Sequence, residues 1–207
     1  MNNSSTEISR RGVLRALAGG GALMVAAATA GCGSDQSPEP TGNLVMIIRS
    51  AEEAPADARA LSDVGRARAS ALASLFAPPG RLPKAGLDRP AAVYACAPAD
   101  QRAPVVDTVT PLAQRLRLTV ITDFDDRQTA ALVKRVVSQP GPTVICARNS
   151  ETPTIARGFA PVNTTPPDEW PANRFDVVWV LTQTTDGWLF TQIPELVLPG
   201  DQTSAIS

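Results

Sequence analysis

The chain is 207 residues long, carries a formal net charge of −1 and contains no histidine. A charge this close to neutral, with no basic cluster and no aromatic stacking platform, argues against nucleic acid as a partner. Without an imidazole, and with Cys96 and Cys146 at a spacing unlike that of a metal site, no metal or other cofactor is expected.

The first residues read as an address. Ser9-Arg10-Arg11-Gly12-Val13-Leu14-Arg15 sets the pair Arg10 and Arg11 ahead of an apolar stretch, the pattern of a twin-arginine export signal. Ala16 to Gly31 is uncharged but rich in Gly and Ala, and it falls short of the roughly 20 strongly apolar residues that span a membrane. It closes on Thr29-Ala30-Gly31-Cys32, which resembles the processing site of bacterial lipoproteins, whose cysteine becomes the first mature residue and receives a diacylglycerol group. Two acyl chains suffice for stable anchoring, at about 0.8 kcal/mol per buried methylene. That resemblance implies a signal over 1–31, lipidation at Cys32, and a membrane contact at the outer face of the cytoplasmic membrane. The alternative is an uncleaved anchor with an incidental cysteine. Residues 32–43 read as a solvated tether, and 44–207 as one domain, long enough for a substantial core.

Leu44 to Ile48 is a continuous apolar run ending at Arg49, as expected of a buried parallel strand. Residues 51–60 are short, polar and proline-bearing and read as loop. From Ser62 to Phe76 the spacing predicts a helix, with Ser62 as cap and Val64, Ala67, Ala71 and Leu75 on its inner face. Ala91 to Cys96 reads as a second strand and Pro104 to Leu116 as a helix, with a kink expected at Pro111. A short strand follows over Leu118–Thr122, then a helix over Asp126–Ser138 with Ala130, Leu132, Val133 and Val136 inward. A strand over Pro142–Ala147 and a short helix over Thr152–Phe159 come next. Arg174–Gln183 and Trp188–Ile193 flank Asp186-Gly187, a strong hairpin signal. Strand-helix alternation closed by a hairpin predicts an α/β three-layer sandwich with a mostly parallel sheet and an antiparallel edge.

Four segments in this order resemble the histidine phosphatase superfamily, the phosphoglycerate-mutase-like proteins. Val45-Met-Ile-Ile-Arg49-Ser50-Ala51-Glu52 is similar to the opening strand and Arg-His-Gly/Ala-Glu motif. Leu61-Ser-Asp-Val-Gly65-Arg-Ala-Arg-Ala69 is similar to Leu-Thr-x-x-Gly-x-x-Gln/Arg-Ala. Val93 to Pro98 and Arg102 to Ala113 resemble the strand, loop and helix that supply a second arginine. Thr143 to Thr152 resembles the strand ending in Gly-His-Ser-Asn-Thr.

The resemblance implies a site in which one histidine attacks phosphorus while a second histidine and two arginines hold the phosphoryl oxygens. Such chemistry uses imidazole because it is nucleophilic near neutral pH and can leave again. In this chain Arg49 matches the first arginine, but Ser50 stands where the nucleophile is expected and Asn149 where the second histidine is expected. Ala103 falls at the second arginine, with Arg102 adjacent. Glu52 and Glu151 are candidate acids. Serine needs a positioned base, and the chain offers only Lys84 and Lys134, both in solvated contexts. The expectation is therefore a degenerate domain that binds or scaffolds, its partner a small anionic ligand or an envelope protein. The alternatives are a phosphomonoesterase with a different nucleophile and a structural envelope protein without a pocket.

Arg49, Arg102 and Arg148 are candidate anion-binding residues at the strand ends; Arg49 paired with Glu52 or Glu53 is the competing expectation. Thr122 to Asp126 is expected to cap the next helix rather than hold calcium or magnesium. Cys96 and Cys146 are expected as either buried free thiols or a disulfide. Trp170, Trp179 and Trp188 are expected in the core rather than in a ligand platform.

Overall fold

The computed structural model describes residues 40–207, so the readings on Arg10, Arg11 and Cys32, and most of the expected tether, lie outside the described residues. The strands are β1 (Pro40–Arg49), β2 (Glu53–Ala54), β3 (Asp57–Leu61), β4 (Ala92–Cys96), β5 (Val120–Ile121), β6 (Thr143–Ala147), β7 (Val177–Thr184) and β8 (Gly187–Pro194). The helices are α1 (Asp63–Phe76), α2 (Arg102–Leu116), α3 (Thr129–Val137) and α4 (Thr152–Gly158), with a short 3₁₀ turn over Ala99–Gln101.

Six strands form one sheet in the order β5-β4-β6-β1-β7-β8. The first four run parallel, β7 is antiparallel to β1, and β8 returns antiparallel to β7 through a turn at Thr185-Asp186, with Gly187 opening β8. Side-chain alternation divides each strand between two cores. Met46, Ile48, Val93, Ala95, Val144 and Cys146 face α1 and α2, where Leu72, Phe76, Val105 and Leu112 cover them. Val45, Ile47, Tyr94, Cys96 and Ile145 face the opposite layer, with Leu132 and Val136 of α3 and Ile155 of α4. This is the expected α/β/α sandwich.

The alternation also explains the thiols. Cys96 and Cys146 lie on neighbouring strands but on opposite faces of the sheet, so both remain free and buried. Burial pushes the Cys96 thiol up to about 12 and that of Cys146 well above its ordinary range. The tryptophans all pack in the α3–α4 layer. Trp170 and Trp179 lie 4.7 Å apart between ring centres, and Phe159 meets Trp188 edge-on at 5.0 Å.

Several local expectations are corrected. Most of residues 51–60, read as loop, fall in the β2–β3 hairpin, which runs on to Leu61. Helix α1 buries Gly65, Arg68, Ala69, Leu72, Ala73 and Phe76, whereas Val64 is 53% exposed. Its inward stripe is therefore offset from the one read from the sequence, because an arginine occupies part of it. Strand β1 starts at Pro40 because Asn43 is held from both sides. Its side chain donates to Gln183 Oε1 at 2.6 Å and accepts the Gly141 amide at 3.0 Å. Helix α3 begins at Thr129, so Asp126 does not cap it; Asp125 instead accepts the Arg127 amide at 3.0 Å in the preceding turn.

The outer edge of β8 is closed by a side chain acting as a short strand. Asn163 accepts the Phe190 amide at 2.7 Å and donates to the Phe190 carbonyl at 2.9 Å, satisfying backbone groups that another chain would otherwise pair with. At the start of α1, Ser62 caps the Gly65 amide at 3.0 Å, and its own amide donates to the Glu52 carbonyl at 2.9 Å. This contact brings the helix so close that a Cβ on Gly65 would sit 2.2 Å from the Glu52 carbonyl oxygen. Gly65→Ala is expected to lower unfolding free energy by about 1–3 kcal/mol, despite alanine's better helix propensity, because the overlap is with backbone. Urea unfolding of the variant beside wild type measures this.

Candidate functional site

The parallel strands β4, β6 and β1 are neighbours, and all end on one edge of the sheet. Register aligns Cys96, Ala147 and Arg49 in a row, and the Ser50 amide extends it by donating to the Ala147 carbonyl at 2.8 Å. Just beyond this row lie the segments starting at Ser50, Ala97 and Arg148. The fold thus gathers the backbone of all the sequence-identified positions at the carboxyl ends of the strands, where open α/β sheets bind ligands. Ser50 is buried, and the next amide, that of Ala51, donates to Thr108 Oγ1 of α2 at 2.9 Å. Thr108 Oγ1 in turn donates to the Pro104 carbonyl at 2.7 Å, tying the β1 exit to the first turn of α2.

The side chains do not converge in the same way. Arg49 continues the face of Val45 and Ile47, towards Trp170 and Trp179. Its Nη1 donates to the carbonyls of Pro171, Ala172 and Arg174 at 3.1, 3.0 and 3.0 Å, and its guanidinium carbon lies 3.8 Å over the ring of Phe175. Its Nε is buried without a hydrogen-bond partner. Burial lowers its pKa to about 10, with Glu53 and Glu52 acting in the opposite direction from a distance. The expected ion pair of Arg49 with Glu52 or Glu53 is therefore replaced by backbone carbonyls and an aromatic ring. The two carboxylates are engaged elsewhere: Glu53 faces Arg148 at 3.9 Å, and Glu52 is taken by Arg68.

Arg102 directs Nε and Nη2 to the Ala97 carbonyl at 3.3 and 3.1 Å. Ala103, one residue on, is exposed in the first turn of α2. Asn149 reaches the Trp170 carbonyl at 3.5 Å and lines a shallow cavity of about 190 Å³ with Asp168 and Glu169. Glu151 accepts the Ser150 hydroxyl at 2.8 Å through one oxygen, and its other oxygen is buried and unpaired. Lys84 donates to the Pro194 carbonyl at 2.7 Å, and Lys134 lies exposed on α3. Among the described residues, no basic side chain hydrogen-bonds the Ser50 hydroxyl.

Sequence reasoning missed the most heavily paired charge in the domain. Arg68, with a side chain 6% exposed, contacts Glu52 at 2.9 Å, Glu195 at 3.2 Å and Asp201 at 2.9 Å. Position 68 falls within the second of the four resembling segments, but nothing there announces that three carboxylates from distant parts of the chain meet it. Burial alone would weaken the Arg68 cation; the hydrogen bonds it donates to Asp201 and Glu52, with the charges of Glu195 and Glu52, outweigh that and raise its pKa. Asp201 would be pushed up by burial, yet Arg68 and the amides of Leu198 and Val197 hold it below the usual carboxylate range. Glu195 goes the other way: full burial lifts it well above that range, with Arg68 only partly opposing.

The arrangement is an α/β/α sandwich similar in fold to solved histidine phosphatases. Among solved structures, a protein histidine phosphatase SixA complexed with tungstate superposes with a TM-score of 0.52 at 12% identity, covering 73% of this chain and 97% of that one. A SixA from Nakamurella multipartitia, described as a phosphohistidine phosphatase, gives 0.50 at 14% identity over 74% of this chain and 96% of its own. At such identities the likeness is one of fold. No family model matches the sequence, and no curated protein matches it.

Glu195 sets a pH dependence whose sign follows from its shift. A carboxyl with a folded pKa above its unfolded value, about 4.3, stabilises fully below that value and loses the contribution as pH rises towards the folded pKa. Asp201, held below the usual carboxylate range, contributes with the opposite sign and on the acid side of Glu195. Wild-type unfolding free energy is expected to fall from pH 5 to pH 8, and Glu195→Gln to remove that fall. Urea midpoints for both proteins at the two pH values test it.

Proposed function

We propose that this chain is an exported lipoprotein whose histidine-phosphatase-like domain has lost its chemistry and serves in binding or scaffolding at the outer face of the cytoplasmic membrane. One observation carries the reading. The two strand ends where the superfamily resemblance expects histidines hold Ser50 and Asn149, and the chain has no histidine with which to replace either. Serine without a base is a poor nucleophile, and an asparagine side chain can donate a hydrogen bond but carries no positive charge.

The engagement of the arginines supports the same conclusion. An arginine poised for a transferring phosphoryl group keeps its donors turned towards the oxygens. Here Arg49 and Arg102 direct theirs to backbone carbonyls, and Arg148 faces Glu53. This favours a role in which the domain presents a surface or holds a small anionic ligand without turning it over.

Two measurements follow. The purified protein is expected to show no turnover of p-nitrophenyl phosphate, since loss of a nucleophile removes on the order of 10⁶ in rate. The triple variant Ser50→His, Asn149→His, Ala103→Arg tests whether the scaffold still supports the chemistry, and detectable turnover in it is the expected result. Wild-type turnover that disappears in Ser50→Ala would overturn the proposal. For the anchor, Cys32→Ser is expected to move the protein from the membrane fraction to the soluble exported fraction. Retention in the membrane would favour the uncleaved anchor.

A further inference from the structure

The loop 171–175, between α4 and β7, supplies every hydrogen bond described for the Arg49 guanidinium. Within itself the loop is thinly held, by the Arg174 amide donating to the Pro171 carbonyl at 3.1 Å. Ala172 and Asn173 are exposed. From the core side, Trp170 Nε1 donates to the Arg174 carbonyl at 2.8 Å.

The remaining supports come from the other end of the chain. Arg174 Nη2 donates to the Ser204 carbonyl at 2.7 Å, while its Nε pairs with Asp176 at 2.8 Å. Asp176 accepts the Gln202 amide at 2.6 Å through its other oxygen. Residues 195–207 contain no helix or strand, and their course is fixed at three points. Arg68 grips Glu195 and Asp201, the Asp176–Arg174 pair grips Gln202 and Ser204, and the side chain of Gln192 holds Ile206. Gln192 accepts the Ile206 amide and donates to its carbonyl, both at 2.8 Å, and Ile206 is buried in the α3–α4 layer. A cavity of about 190 Å³, lined by Asn173, Phe175 and Asp176 on one side and by Leu198, Gly200 and Gln202 on the other, marks the seam between loop and tail.

We propose that the C-terminal segment 195–207 is a strap that holds the 171–175 loop closed on Arg49, so that the chain's own carbonyls occupy the guanidinium at the strand ends. The geometry makes a relay: tail to Asp176 and Arg174, Arg174 carbonyl to Arg49. Letting go of the tail removes two of the loop's anchors while leaving the sheet intact, because neither anchor is a ladder bond. Whether an oxyanion then takes the freed donors depends on the binding reading of the strand ends given above, on which this part rests.

The test uses the whole chain with a stop after Asp201, which removes both Gln202 and Ser204, and separately the full-length Ile206→Asp variant, in case the truncated protein fails to fold. Hydrogen exchange at the amides of residues 172–175 and binding of inorganic phosphate are measured in each. The expected result is exchange in the loop faster by about 10-fold or more with sheet amides still protected. Phosphate affinity is expected to rise by about 10-fold, the factor by which a site open about a tenth of the time understates its intrinsic affinity. Adding Arg49→Ala is expected to abolish that gain. Unchanged loop exchange in a folded Ile206→Asp protein would overturn the strap. A loop that opens with no gain in phosphate binding would uphold the strap and overturn the anion-binding reading of Arg49.

Discussion

The guanidinium of Arg68 is the point at which separate parts of the domain are tied together. It draws Glu52 from the exit of the first strand, Glu195 from the end of the last strand and Asp201 from the tail into one buried cluster on α1. Taking charges out of water is costly, and breaking such a set by removing one partner costs about 3–5 kcal/mol. The cluster therefore fixes the course of the segments that leave the sheet on either side of the strand-end site. The approach of α1 to Glu52, possible only because residue 65 is glycine, is part of the same arrangement. Glu195 is driven to keep its proton chiefly by its full burial, to which the charges of Asp201 and Asp176 add.

The strand ends inherit their character from this frame. In an open parallel sheet the carboxyl ends of neighbouring strands form a crevice whether or not chemistry occurs there. What occupies the crevice here is the protein itself. Arg49 is covered by loop carbonyls and a phenylalanine ring, Arg102 by the carbonyl of Ala97, and Arg148 stands near Glu53. A guanidinium buried without any partner would be costly. The loop carbonyls that accept from Arg49 offset the cost of placing a positively charged residue at the end of a buried strand. The fold is shared with phosphohistidine phosphatases, but fold alone does not carry function.

Much of the fold was legible beforehand because it depends on local period and punctuation. The apolar run of β1 was visible as a continuous stretch, β4 and β6 as short strands, the hairpin of β7 and β8 by alternation about an Asp-Gly pair, and α2 and α4 as short helices. The helix faces were less legible. In α1 the inner stripe contains Arg68, which periodicity reads as solvent-facing, so the predicted face was displaced onto Val64 and its neighbours. The β2–β3 hairpin escaped notice because its residues show no apolar run or clean alternation, and only pairing with each other makes them strands. That Ser50, Arg102, Ala103, Arg148 and Asn149 belong near one edge was implied by the resemblance of the segments that hold them. The direction in which each side chain turned was not.

By itself the sequence determined the order of the six main-sheet strands and the four helices, the absence of an imidazole anywhere, and the positions at which serine and asparagine stand where the resemblance expects histidine. Those are properties of residue identity and local period, and no packing can alter them. Only the tertiary structure decided that Cys96 and Cys146 face opposite layers, that Arg49 is held by carbonyls more than a hundred residues away, and that Arg68 collects three distant carboxylates. Each of these depends on which segments the sheet order brings side by side, and that order is set by long-range burial rather than by any signal within a segment.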